Sequence, residues 1–267
     1  MSDVIADFCL SELAGNGFVP LPEYARALRE AFRRSPAVYG RAAFGIEFRR
    51  VARDGAWFAG LLASDAHLEG YSAKQLWAWS NSIPEQEFAA QVRVHAEDEA
   101  RHSRMFGQLL LSLYPESDTP ELRARLGEMA PTFPSGEAPS PTIDMRTDEE
   151  VLSSAIQINL YEIKALVLGH LLSPVVRAYS NGENSRRNDA ITRAILRDEL
   201  RHIAYSAHFI EQAIARGNQD YVWCALAEFQ EMLNTSTGLE LEALSCKDTH
   251  HPEVNAAAIA AAIAPQD

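Results

Sequence analysis

Apolar residues recur at three- and four-residue spacing through most of the chain, while alternating runs rich in β-branched residues are scarce. This periodicity predicts an all-α fold, punctuated where Gly and Pro cluster. The pattern gives a short helical region to about Arg34, a long helix from about Ala43 to Ser80, and a second from Pro84 to about Tyr114. The Pro-, Ser- and Gly-rich stretch that follows is too broken for one helix and long enough to cross a domain from end to end. Beyond it, helices are expected from Asp148 to about Tyr179 and from Asn188 to Arg216, joined by a turn at "SNGENS" and stopped by Gly217. A further helix, Tyr221 to about Leu244, precedes an Ala-rich tail. Two start signals are explicit. "SIPE" at Ser82–Glu85 and "TDEE" at Thr147–Glu150 both read as capping boxes.

Two helix pairs joined by one long crossover is the connectivity of a ferritin-like four-helix bundle. The expected organisation is therefore a single domain over 1–267, with the bundle core at about 43–216 and accessory C-terminal helices at about 221–264. Against that frame the second helix of each pair carries the same five-residue pattern: "DEARH" at Asp98–His102 and "DELRH" at Asp198–His202. On a helix, residues three apart lie about 60° apart around the axis and roughly 4.5 Å along it, so Glu99 with His102, and Glu199 with His202, can each grip one ion.

The remaining helix of each pair places an acid where a core residue belongs. Glu69 sits on the stripe of Phe58, Leu62, Asp65, Ala73 and Leu76, and Glu162 on that of Ala155, Ile158, Ala165, Leu166 and Gly169. An uncompensated buried carboxylate costs several kcal/mol, and a metal ion is an economical partner. The candidate metal ligands are thus Glu69, Glu99, His102, Glu162, Glu199 and His202. Asp65 competes with Glu69 but is shorter. Four carboxylates balance two divalent ions, and mixed oxygen and imidazole donors suit iron, with manganese the alternative, better than a closed zinc site. Asp98 and Asp198 precede the ligand glutamates and are placed to accept a proton from a ligand histidine of the partner helix, with Arg101 and Arg201 available to neutralise them. His95, one turn before Glu99 on the same face, is a candidate extra ligand. His170, two turns beyond Glu162, is a candidate pocket residue. Tyr161, Tyr205, Trp77 and Trp79 are explained by core packing.

The two boxes together with Glu69 and Glu162 resemble the ferritin-like di-iron carboxylate superfamily over roughly 51–216. Chain length, long helices and an extra C-terminal helix resemble its oxygenase branch, which includes the arylamine N-oxygenases. The resemblance implies two iron ions that activate O2 to oxidise a small organic substrate, by N-oxygenation or by C–H hydroxylation or desaturation. The N-oxygenases carry a third histidine one turn before the Glu of the second box, where this chain has Ile195. Iron storage or handling, and a di-metal peroxidase or catalase, share the ligand recipe and are the alternatives.

Composition narrows the partners. A formal net charge of −13 over 267 residues repels nucleic acid and anionic membranes. Cys9, Cys224 and Cys246 are far apart and form no disulfide or structural-zinc pattern, which points to a reducing, cytoplasmic setting. No window approaches the roughly 18 apolar residues of a spanning helix, and the N-terminus does not read as a cleaved leader. With no flavin, dinucleotide or Cys-cluster signature present, a monooxygenase would draw on an external ferredoxin or reductase. A homodimer is a candidate assembly.

Overall fold

The computed structural model describes residues 4–133 and 145–247, and every regular element among them is helical. The helices are α1 (Val4–Gly15), α2 (Pro22–Arg34), α3 (Ala42–Val51), α4 (Gly55–Ser80), α5 (Gln86–Leu113), α6 (Pro120–Met129), α7 (Asp148–Tyr179), α8 (Asn184–Ala213) and α9 (Gln219–Cys246). The Ala-rich tail lies outside the described residues.

The helix expected from Ala43 to Ser80 is broken into α3 and α4. Asp54 is the reason: its carboxylate accepts hydrogen bonds from the N–H groups of Ala56 and Trp57 at 3.0 and 3.1 Å, which starts a new helix rather than continuing the old one. The box at Thr147 forms reciprocally. Thr147 N–H donates to Glu150 Oε2 at 2.8 Å while Glu150 N–H donates to Thr147 Oγ1 at 3.3 Å. The sequence "SIPE" does otherwise, because Ser82 Oγ turns back to donate to Trp79 O, and Glu85 becomes the N-cap position of α5. Helix α8 begins at Asn184, earlier than expected, and Gly217, at φ 99°, turns the chain into α9. The crossover stretch contains one helix of its own, α6, capped by Thr119 Oγ1 accepting from Leu122 N–H.

Chain packing separates two compact units. The first comprises, among described residues, 4–48, 147–171 and 196–247. Its core joins Tyr24, Leu28 and Phe32 of α2 with Ile156, Leu160 and Ile163 of α7, Ile203 and Ile210 of α8, and Leu226 and Leu233 of α9. Polar ties run between these helices. The Glu211 carboxylate of α8 accepts from the backbone N–H of Glu23 and Tyr24, satisfying donors at the start of α2 that its own N-cap, Leu21, leaves open. Asn234 of α9 donates to Ser35 O, Ser35 Oγ and Pro36 O and accepts from Val38 N–H, fixing the exit from α2.

The second unit comprises 49–133, 145–146 and 172–195 among the described residues. Its centre is the α4–α5 hairpin, closed by a short turn, in which α4 buries Phe58, Leu62 and Ala66 and α5 buries Val92, Ala96 and Leu109. Ser103 Oγ donates to Ala66 O at 2.6 Å, pinning the two helices beside Glu69 and His102. The end of α6 packs on α4 at Gly70, where an added Cβ would lie 1.9 Å from Met129 O. Trp77 stacks on Phe133 with centroids 4.3 Å apart.

Among the described helices, α7 is long and apolar enough by composition to span a membrane. It also carries Asn159, Glu162 and Lys164 in its middle and buries Leu152, Ile156, Ile163 and Leu166 in the first unit's core.

Candidate metal centre

In the second unit, α5 presents His95, Glu99 and His102 at positions i, i+4 and i+7, one stripe of the helix, and all three are buried. Helix α4 presents Glu69 opposite them. One ligand atom each from Glu69, Glu99 and His102 fall within 4.8 Å of one another. His102 Nδ1 lies 3.4 Å from Glu99 Oε1 and 3.9 Å from Glu69 Oε2. His95 Nε2 approaches the same Glu99 oxygen at 3.5 Å.

These spacings carry chemical information. Two nitrogen or oxygen donors each about 2.1 Å from one ion, at a tetrahedral angle, lie roughly 3.4 Å apart. The His102–Glu99 and His95–Glu99 separations are of that size, so the donors stand where a shared ion would place them. Glu99 is central, with one imidazole on either side of its carboxylate. Burial pushes the Glu99 carboxyl up, but hydrogen bonding from His102 and His95, and contact with Glu69, outweigh it and hold the group well below the usual carboxylate range. It is a charged, deeply buried donor. Glu69 keeps 20% of its side-chain surface accessible, which leaves an approach to the group from its α4 side.

In the first unit, α7 and α8 set out the matching pair. His202 Nδ1 lies 3.5 Å from Glu162 Oε2, again the separation of two donors on one ion. Glu199, one turn before His202, is buried. Its predecessor on the stripe, Ile195, is a buried hydrocarbon, so the histidine supplied at position 95 has no counterpart here.

A polar network that the sequence reading missed holds this pair in register. Asn159, fully buried three residues before Glu162, accepts from Tyr24 Oη–H at 2.8 Å. Its amide donates to Ile203 O at 3.2 Å and to Ser206 Oγ at 2.9 Å, and Ser206 Oγ in turn donates to His202 O at 2.7 Å. The only sequence signal was an Asn in mid-helix on an otherwise apolar face.

The remaining candidates fall as follows. Asp98 and Asp198 are buried, and each pairs with the arginine three residues on: Arg101 at 2.6 Å and Arg201 at 2.5 Å. Asp65 does not join the three-donor group around Glu69. It is half-buried, and desolvation raises its carboxyl to about 7. His170 is exposed and meets Phe8 edge-on at 5.2 Å. Tyr161, expected in the core, is instead 59% exposed, because it lies about 100° around α7 from the inward-facing Glu162.

Set against known protein families, characterised proteins and solved structures, the chain matches none of them. The functional reading therefore rests on the side chains themselves.

Proposed function

We propose that the chain is a non-haem di-iron oxygenase that uses O2 to oxidise a small organic substrate. In this reading Glu69, Glu99 and His102 hold one ion, Glu162, Glu199 and His202 hold the other, and His95 is an extra donor beside Glu99. The observation that carries it is the group of half-buried Glu69 with buried Glu99 and His102, whose donor separations suit a divalent transition metal. Four buried or half-buried carboxylates need about four compensating positive charges, and two divalent ions supply them. Iron is favoured over zinc because carboxylates outnumber imidazoles and no thiolate takes part. Manganese fits the same donors and is the alternative metal.

When bound, two ferrous ions supply the electrons and open coordination positions that dioxygen reduction requires. The chain's own residues perform the rest. The α4–α5 and α7–α8 helices hold the donors on rigid elements, and the apolar side chains around them limit entry of water. Arg101 and Arg201 pair with Asp98 and Asp198 beside the ligand glutamates and offset their charge. Inserting one oxygen atom into a substrate consumes O2, two electrons and two protons and releases water. A ferredoxin or reductase is the proposed electron donor.

Rapid mixing of the anaerobically iron-loaded chain with O2 tests the reading. Ferrous oxidation on the millisecond-to-second scale, lost in Glu99→Ala, is the expected result, and oxidation no faster than that of free ferrous ion refutes it. Light scattering in the same experiment distinguishes iron storage, which requires a large shell and far more than two irons per chain.

A further inference from the structure

Helix α8 sorts its charges by exposure. All five of its arginines are exposed, while its four acids are all buried or half-buried. Four of the arginines, Arg186, Arg193, Arg197 and Arg201, fall within about 80° of the helix circumference and form a row about 22 Å long. Arg186 and Arg197 make no hydrogen bond or ion pair among the described residues, and Arg193 reaches Asp189 only at 4.0 Å. The fifth, Arg187, turns aside toward Gln108 Oε1 at 3.4 Å. The helix thus presents a cationic face with no exposed acid of its own, on a chain whose formal net charge is −13.

Local physics does not favour such a row. Arg193, Arg197 and Arg201 follow one another at four-residue steps, where like charges repel along a helix. Arg186 sits in the first turn, at the positive end of the helix dipole, and that turn holds no acid. An acidic partner would offset both costs. The place of the row says what such a partner could do. Glu199 and His202 lie about 160° and 140° around α8 from Arg197, so the arginines occupy the back of the helix that carries two candidate ligands, roughly 10 Å across it.

Resting on the oxygenase reading, we propose that the arginine face of α8 is the docking surface for the external electron donor, a small acidic [2Fe–2S] protein of the ferredoxin type. Arginine forks engage carboxylates in pairs, and the row draws an acidic donor in against the repulsion of the rest of the chain. Its length suits the small interfaces of transient electron-transfer encounters. Each encounter oxidises one reduced cluster by one electron, and two encounters return the two electrons that one turnover draws.

The test is binding of an acidic plant-type [2Fe–2S] ferredoxin to the iron-loaded full chain, by biolayer interferometry at about 20 mM and about 200 mM NaCl. Binding is expected at low salt and should weaken at least about tenfold at high salt. The triple variant Arg186→Gln, Arg193→Gln, Arg197→Gln should lose at least about tenfold in affinity at low salt. A second triple, Arg41→Gln, Arg49→Gln, Arg53→Gln, removes three exposed arginines elsewhere and should bind ferredoxin within about threefold of wild type. No binding at low salt, binding indifferent to the α8 variant, or equal losses in both triples overturns the proposal; the last would mean attraction by net charge alone. Stopped-flow oxidation of reduced ferredoxin by the oxidised, iron-loaded chain should slow in parallel with the loss of affinity, and a ferredoxin that binds but is not oxidised overturns the donor assignment. Iron content is measured on the same samples, and the metal-free chain is titrated in parallel. A chain that holds no iron but keeps ferredoxin binding dependent on the α8 arginines would refute the oxygenase reading and leave the docking face standing.

Discussion

Asn159→Ala tests how the α7–α8 half of the candidate centre is held. The substitution removes three hydrogen bonds at once: from Tyr24 Oη–H, to Ile203 O and to Ser206 Oγ. At about 1 kcal/mol each, that is roughly 3 kcal/mol, and the stranded Tyr24 hydroxyl, fully buried, adds about 1–2 kcal/mol of unmet desolvation. A loss of about 4–5 kcal/mol is therefore expected, a large part of a typical domain's stability. Urea unfolding of the metal-free chain followed by far-UV circular dichroism reads it. Tyr24→Phe in the same background removes the stranded hydroxyl, so the double variant should be about 1–2 kcal/mol more stable than the two single losses summed. A loss below about 1 kcal/mol, or strictly additive effects, would show that the network is incidental. Because Asn159 lies one turn before Glu162 and Ser206 one turn after His202, the variant should also bind less iron at saturation.

Other expectations follow from single contacts. Gly70→Ala places a methyl 1.9 Å from Met129 O, a backbone atom that cannot rotate away, so α6 must shift; thermal unfolding should show a loss of about 1–3 kcal/mol, and an unchanged midpoint would contradict the packing. Asp65 has its carboxyl near 7 in the folded chain, against about 3.9 unfolded, so the folded state binds the proton more tightly. Its contribution is then most favourable below about pH 4, declines as pH rises toward 7, and stays lost above. Relative to wild type, metal-free Asp65→Asn should accordingly gain about 2 kcal/mol in urea stability between pH 5.5 and pH 8, and a gap that does not vary with pH would refute the assignment.

How much of this was legible from residues alone depended on the range of the interaction. The helix periodicity, the Thr147 box and the Gly217 stop are local, and each appears in the structure near its expected place. The Asp54 break is local too. It was read as helix because an Asp followed by Gly sits inside a continuing apolar period, and only the bonds to Ala56 and Trp57 show that it caps. Glu99 and His102 were visible as polar residues on a buried face, and α4 brings Glu69 to them. The ties made by Asn159, Glu211 and Asn234 link residues 44 to 199 positions apart, and no spacing rule points to partners that distant. Tyr161 shows the converse error. Its bulk suggested the core, but one residue along a helix changes the face.

The central claim is that the chain holds two iron ions through two similar half-sites. Iron bound per chain after anaerobic ferrous loading and desalting tests it most directly, for wild type, Glu99→Ala and Glu199→Ala. The account predicts two irons in wild type and at least one fewer in each variant. A wild-type chain that retains no iron, or variants that load as wild type does, would contradict it.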